Sequence, residues 1–515
     1  MSGLVLATTA RTTAVALEGL TGRMVEIEAA LTNQTPNFRL VGLPDTALRE
    51  AQARVRSAVE HSGFEMPSRH LTVNLSPAAV PKHGSGFDLG IAVAVLVTTG
   101  VIAREAVGDT VYLGELGLDG RLRPVPGVLP AVRAAARAGR TRVVVPSGSA
   151  REAQLVDGIE VVAVPSLRTL AIRHGADLEP VDVEPVPGPP VVRERSSHAD
   201  LAEVVGNAEA IEALVVAAAG GHHVLMLGPP GAGKTMLATR LPGLLPDLVG
   251  EAALDATSIA SLAGRGVDRM RARPPWQAPH HTATEASIIG GGSGRIRPGA
   301  VTRASGGVLF LDEAPEFAPA VLDSLRQPLE SGRVSVHRAA ARADFPARFQ
   351  LILAANPCPC GQWGSTDGLC TCAPSARQRY LGRLSGPLLD RIDIRVRVDR
   401  VTAAQLELAR GTAGTTTATA RQRVLAARAR TASRLVGTAW SVNAEVPGSW
   451  LRHPDHELAE NARAPLAAAL ERRLVTLRGH DKVLRLAWTL ADLSGLERPG
   501  RAEVGRALTM RSPDA

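Results

Sequence analysis

Residues 228–235 read Gly228, Pro229, Pro230, Gly231, Ala232, Gly233, Lys234, Thr235 and fit G-x-x-x-x-G-K-[ST] at every position. The motif has its meaning only as a strand, a glycine-rich turn and a helix in succession. The apolar run His223–Gly228 supplies the strand and a helical stretch follows, so this part of the chain must be a βα unit with an anion at its turn. Glycines there let backbone N–H groups wrap phosphates, and the helix N-terminus faces them with its positive dipole end. Lys234 is placed to reach the β- and γ-phosphates, and the Thr235 hydroxyl to ligate Mg²⁺. The chain has 58 basic residues, yet its only lysines are Lys82, Lys234 and Lys482. A lysine kept against that arginine background points to a role arginine cannot fill.

The residues needed to hydrolyse a bound triphosphate follow in order. Leu309-Phe310-Leu311 ends in Asp312 and Glu313, one carboxylate to hold the Mg²⁺ shell and one to orient or deprotonate the attacking water. Phe349–Asn356 is another apolar strand, and its terminal Asn356 offers an amide for the same water. Leu388-Leu389-Asp390-Arg391 sets an arginine after a helix; in a ring it would enter the neighbour's site and stabilise charge on the γ-phosphate. Arg485, on a later helix, is placed by this reading to touch the γ-phosphate in cis.

The length of 515 residues suggests about three domains at roughly 100–200 residues each. Residues 1–178 alternate short strands (Leu71–Ser76, Thr110–Gly114, Arg142–Pro146) with helices (Asp45–Ser62, Leu129–Ala138), an α+β pattern. Residues 179–199 open on EPVDVEPVPGPP, whose five prolines make an extended linker. Residues 200–401 carry the βα alternation of a parallel sheet covered by helices, and 402–515 are almost wholly helical. Basic and acidic residues number 20 and 21 in 1–200, 21 and 18 in 201–400, and 17 and 11 beyond. An anionic partner therefore belongs with the second and third parts.

All four cysteines, Cys358, Cys360, Cys370 and Cys372, fall within fifteen residues. Disulfide scaffolds spread their cysteines to close several loops, so this cluster predicts four thiolates around a structural Zn²⁺, braced against the arginine box that follows. No run is apolar enough over roughly 18–20 residues to span a bilayer and no secretory leader is evident, which gives the cytoplasm as the expected address.

The phosphate loop, DE strand end, asparagine strand end, DR box and helical arginine, in this order, resemble those of AAA+ ATPases. Further strings narrow the likeness: Val41–Asp45 (VGLPD), Asn74–Ala78 (NLSPA), Gly84–Asp88 (GSGFD), Ala278–His281 (APHH), Gly290–Ser293 (GGGS), Pro315–Phe317 (PEF), Asn356–Cys360 (NPCPC) and Leu384–Arg391 (LSGPLLDR). They resemble the magnesium-chelatase-like branch, and within it the ComM/YifB family, over nearly the whole chain. The resemblance implies an AAA+ core with a parallel sheet, preceded by a Lon-protease-like (ribosomal S5 domain 2-like) α+β domain and followed by a helical lid. It further implies a hexameric ring, ATP and Mg²⁺, and DNA branch migration during homologous recombination of incoming DNA. It makes Asn356 the sensor asparagine, Arg391 the trans-acting finger and Arg485 the second sensor. His280 and His281 match a family string to which the residues themselves assign no role.

Two arginine-bearing segments face DNA on this reading. Gly332–Arg342 alternates as a hairpin and resembles a pore-lining one, with Arg333, Arg338 and Arg342 on phosphates. Gly290–Arg303 carries Arg295, Arg297 and Arg303. Neither holds an aromatic residue, so backbone electrostatics rather than base stacking is the expected mode. A protease reading, raised by the Lon-like front, needs a lysine after Gly127 to take a serine proton; Gly127–Gly139 has none. The rival motor, a chelatase driving metal into a tetrapyrrole, requires a partner subunit. A nucleotide-switched scaffold with little turnover sits poorly with Glu313, Asn356 and Arg391 all present.

Overall fold

The computed structural model describes residues 9–42, 45–82, 84–191, 199–292, 296–338, 341–364, 369–409 and 414–511. No helix among them is long and apolar enough to cross a membrane. The first part is a seven-stranded mixed sheet in the spatial order Asn37–Val41, His70–Ser76, Thr21–Thr32, Thr9–Glu18, Thr110–Tyr112, Arg142–Pro146, Glu160–Val164. Thr9–Glu18 and Thr21–Thr32 pair antiparallel along their length, from Thr9 opposite Ala30 to Glu18 opposite Thr21. Helix Asp88–Thr98 is buried along its whole length beneath this sheet. Being apolar all round it shows no amphipathic period, which is why its pattern does not announce a helix. At its first residue the buried Asp88 accepts from Arg54 Nε at 2.6 Å, and burial pushes its carboxyl up to about 6 against that pairing.

The proline-rich stretch has no regular secondary structure from 179 to 191. It is not a free spacer, however. Gly188 passes so close to Gly148 that a Cβ on Gly148 would lie 2.7 Å from Gly188 N, and Gly266 N donates to Pro190 O at 3.3 Å. The stretch is a strap laid over both neighbours. A second junction joins helix Val128–Arg137 to helix Gly250–Leu262: Arg133 binds Asp255 at 2.7 Å and also Glu251, and the buried Glu152 accepts from Leu129 N and Ser261 Oγ.

The middle part is a five-stranded sheet in the order Trp276–Gln277, Val308–Leu311, Gln350–Ala355, Val224–Leu227, Ile394–Arg397. Every neighbouring pair is parallel. All ten residues of Val308–Leu311 and Gln350–Ala355 are buried, as strands covered on both faces must be. Parallel order carries a functional consequence: all five strands end on one edge, and the loops leaving that edge converge. The C-terminal helices Thr417–Arg434, Glu460–Glu471, Leu477–Ser494 and Arg501–Arg511 share one core with helix Ala208–Gly220 of the middle part. Asp492, 1% exposed, anchors this lid by accepting from Arg434 twice at 2.6 Å, from Thr431 and from Asn443.

Candidate active site

The strand Val224–Leu227 runs into the turn 228–233 and the helix Lys234–Ala238. Gly231 and Gly233 take φ of 76° and 93°, a backbone only glycine adopts without strain, and no atom stands within 4 Å of where their Cβ atoms would be. This open cradle of backbone amides suits a polyphosphate. The Lys234 ammonium donates to Gly228 O at 2.7 Å, Pro229 O at 3.0 Å and Asn356 Oδ1 at 3.0 Å. Burial pulls its pKa down, and Asp312 and Glu313 oppose that. The loop lysine and the asparagine at the end of Gln350–Ala355 thus meet directly.

Thr235 Oγ1 donates to Asp312 Oδ2 at 2.6 Å. A hydroxyl and a carboxylate that close beside the cradle are the oxygen donors an octahedral Mg²⁺ takes together with phosphate oxygens and water. Glu313 is exposed, with φ of 50°, and its N–H donates to Asp312 Oδ1 at 3.0 Å. His281 Nδ1 lies 3.5 Å from Glu313 Oε2, and the His280 ring sits 4.0 Å from that of His281. The APHH string therefore reaches the reacting edge.

Arg391 and Arg485 lie on the opposite edge. Both line a cleft of about 1250 Å³ that also includes His223, at the start of the phosphate-loop strand. Arg391 donates to Pro387 O at 2.6 Å and pairs with Glu330; Arg485 Nε donates to Val446 O at 2.7 Å. Arg485 does not stand over its own phosphate loop, which corrects the expectation that it acts in cis. The cause is the anchorage of its helix: Lys482 Nζ binds Asp393 Oδ1 at 2.6 Å, and Asp393 Oδ2 accepts from His223 N at 3.1 Å. Burial would raise the Asp393 carboxyl, but the Lys482 ammonium and His222 hold it well below the ordinary range. So Asp393 is a buried structural partner two residues after Arg391, and the rare Lys482 ties the lid to the core. Lysine scarcity was the one sequence signal for it.

The four cysteine sulfurs lie within 4.8 Å of one another. Cys358 Sγ is 3.3 Å from Cys360 Sγ and 3.8 Å from Cys370 Sγ. These are too long for disulfides and close to the roughly 3.8 Å edge of a tetrahedron with Zn–S of about 2.3 Å. The knuckle packs on the phosphate loop. A Cβ on Gly361 would lie 2.6 Å from Pro230 Cγ.

Of the two segments expected to face DNA, Arg333–Arg338 and Ala341–Pro346 form the expected hairpin. Its Val334, Val336, Ala343 and Phe345 are buried, while Arg333, His337 and Arg342 are exposed. Arg338 pairs with Ala341 in the register, and only its backbone is described. Arg297 is exposed on a two-residue strand, and Arg295 lies outside the described residues. Arg303 turns inward instead, donating to Gln277 Oε1 at 3.1 Å and Pro298 O at 2.9 Å. In the first domain, Lys82 Nζ donates to Pro77 O at 2.6 Å and Val80 O at 3.1 Å, while Ser85 bonds Glu115. Lys82 and Ser85 thus face different partners.

The sheet order, the phosphate loop and the carboxylates beside it define an AAA+ ATPase. Family models described as magnesium chelatase, subunit ChlI, subunit ChlI of Mg-chelatase, and the ChlI C-terminal region match residues 200–406, 27–149 and 414–511. The chain is 48% identical over 513 residues to an uncharacterised protein of Mycobacterium tuberculosis, covering 98% of this chain and 99% of that one. It is 38% identical over 496 residues to competence protein ComM of Haemophilus influenzae, covering 96% of each. With the uncharacterised YifB of Escherichia coli it shares 36% over 501 residues, again 96% of each. A 179-residue stretch, 34% of the chain and 22% of its counterpart, is 28% identical to the Lon protease of Mycolicibacterium smegmatis. The chain belongs to the ComM/YifB family of magnesium-chelatase-like AAA+ ATPases.

Proposed function

We propose that this protein is a hexameric, cytoplasmic, ATP-driven DNA helicase or translocase that promotes branch migration in homologous recombination or DNA uptake. The carrying observation is the division of labour between the two edges of one sheet. The C-terminal edge holds the cradle, Lys234, the Thr235–Asp312 pair, Glu313 and Asn356. The opposite edge holds Arg391 and Arg485, in a cleft lined by no residue of their own phosphate loop. A ring that sets one edge against the next completes each site, with Glu313 activating water, Asn356 orienting it and the two arginines stabilising the leaving charge. The name of the Haemophilus relative, a competence protein, favours DNA as the cargo. So does a hairpin whose exposed face carries Arg333 and Arg342.

ATP turnover measured alone and with single-stranded, duplex and four-way-junction DNA tests this reading. Junction or single-stranded DNA is expected to stimulate turnover several-fold. Arg333→Ala with Arg342→Ala keeps DNA-independent turnover but lowers the slope of log affinity against log salt by about two, one phosphate contact per arginine. An unchanged slope removes the hairpin from the DNA path. The family models, described by magnesium chelatase, favour one other motor, which drives metal insertion with a partner subunit. Turnover indifferent to every DNA would turn the search there.

The four thiolates fit Zn²⁺ by donor type and spacing, and a reducing compartment keeps such thiols free to bind it. Metal analysis of the purified chain should give about one zinc per subunit. A ratio near zero in folded protein rejects the zinc site.

A further inference from the structure

The cysteine knuckle sits where a structural metal would be felt by the nucleotide. Cys358 is fully buried and follows Asn356 by two residues, so the first thiolate and the asparagine that holds Lys234 share one short segment. The Cys358 carbonyl accepts from Gly361 N at 2.9 Å, closing a tight turn in which Gly361 adopts φ of 75°. That turn bears on the phosphate loop: any Cβ at Gly361 would drive into the Pro230 ring, 2.6 Å from Cγ. From the other side Arg400 Nε donates to Pro230 O at 3.3 Å. Pro230 thus meets the knuckle through its ring and Arg400, three residues past the end of Ile394–Arg397, through its carbonyl. Its ring reaches the knuckle in the bend that the amides of 231–233 depend on.

We propose that the metal-loaded four-cysteine knuckle is a positioning element for the nucleotide: it buttresses Pro230, keeps the phosphate loop in its triphosphate-binding shape, and makes ATP affinity depend on zinc. This rests on the zinc and ATP readings above. The mechanism is mechanical. Four thiolates on one ion fix 358–361 relative to 370–372, and a fixed 361 leaves the proline no room to swing out. Without the ion the segment relaxes, the loop samples shapes with misdirected amides, and binding falls by the fraction of time the loop is competent.

The test measures equilibrium binding of a fluorescent ATP analogue by the full chain, with zinc content and thermal unfolding followed on the same samples. Gly361→Ala keeps all four thiols yet pushes on Pro230. It should retain its zinc and bind the analogue roughly tenfold more weakly. Chelator-stripped wild type should weaken to a similar degree and recover when ZnCl₂ alone is returned, whereas Gly361→Ala should not recover with added zinc. Turnover at saturating ATP should change much less than KM, a split that general destabilisation does not produce. Unaltered affinity in both a zinc-loaded Gly361→Ala and a folded, stripped wild type overturns the buttress. Absence of zinc from wild type overturns the metal dependence at its first step. Failure of untreated, zinc-loaded wild type to bind the analogue overturns the ATP reading instead.

Discussion

Glu313→Gln should bind ATP as tightly as wild type and hydrolyse it about 10²–10⁴-fold more slowly, the range lost when a positioned general base is removed. The geometry makes this substitution clean. Glu313 is exposed, and its left-handed backbone is fixed by its own N–H on Asp312 Oδ1, a bond glutamine keeps. The amide fills the same volume but cannot take a proton from water. Lys234→Ala should fail one step earlier, at binding, because it removes the cation that sits among Gly228 O, Pro229 O and Asn356 Oδ1. Phosphate release and equilibrium nucleotide binding, measured side by side, separate the two. A Glu313→Gln protein that turns over at more than about a tenth of the wild-type rate would remove Glu313 from the role of base.

Much of this site is legible in the sequence because its chemistry fixes residue types at short spacings. The run 228–235 dictates a strand, a turn and a helix, and apolar runs ending in Asp312 and Asn356 dictate neighbouring strands. What the sequence hides is geometry that depends on which edge of the sheet a distant element docks against. Ile394–Arg397 alternates over only four residues and Trp276–Gln277 is two residues long, so both are too short for a period to mark them as strands. Spacing alone carried Arg485 to its own phosphate loop. The buried Lys482–Asp393 pair, 89 residues apart in the chain, carries it to the other edge. In the same way the cysteine cluster precedes the arginine box in sequence but touches Pro230, because the loop after Ala355 leaves from the edge where the phosphate loop begins.

The placement of both arginines away from their own phosphate loop leads to an experiment with two dead proteins. Arg391→Ala should lower turnover about 10³–10⁵-fold, as loss of a finger does, while leaving nucleotide binding nearly intact. Mixed with Glu313→Gln before assembly, it should regain activity. Wherever an Arg391→Ala subunit presents its intact Glu313 to the intact Arg391 of a Glu313→Gln neighbour, a complete site forms, at about one interface in four for random 1:1 mixing. Arg485→Ala should behave alike: weak alone and restored by Glu313→Gln. If Arg485 instead served its own phosphate loop, every site with an intact Glu313 in that mixture would lack Arg485, and no activity would return. Lys482→Met extends the same logic to the anchor. Leaving Asp393 buried with no ammonium opposite costs several kcal/mol locally and frees the helix that presents Arg485. Turnover in that variant should fall further than nucleotide affinity, and mixing with Glu313→Gln should restore part of it, since the damage lies on the edge that serves the neighbour. Recovery in the Arg391→Ala mixture without recovery in the Arg485→Ala mixture would mean that the lid swings across its own site during turnover, and that the Lys482–Asp393 pair opens to let it.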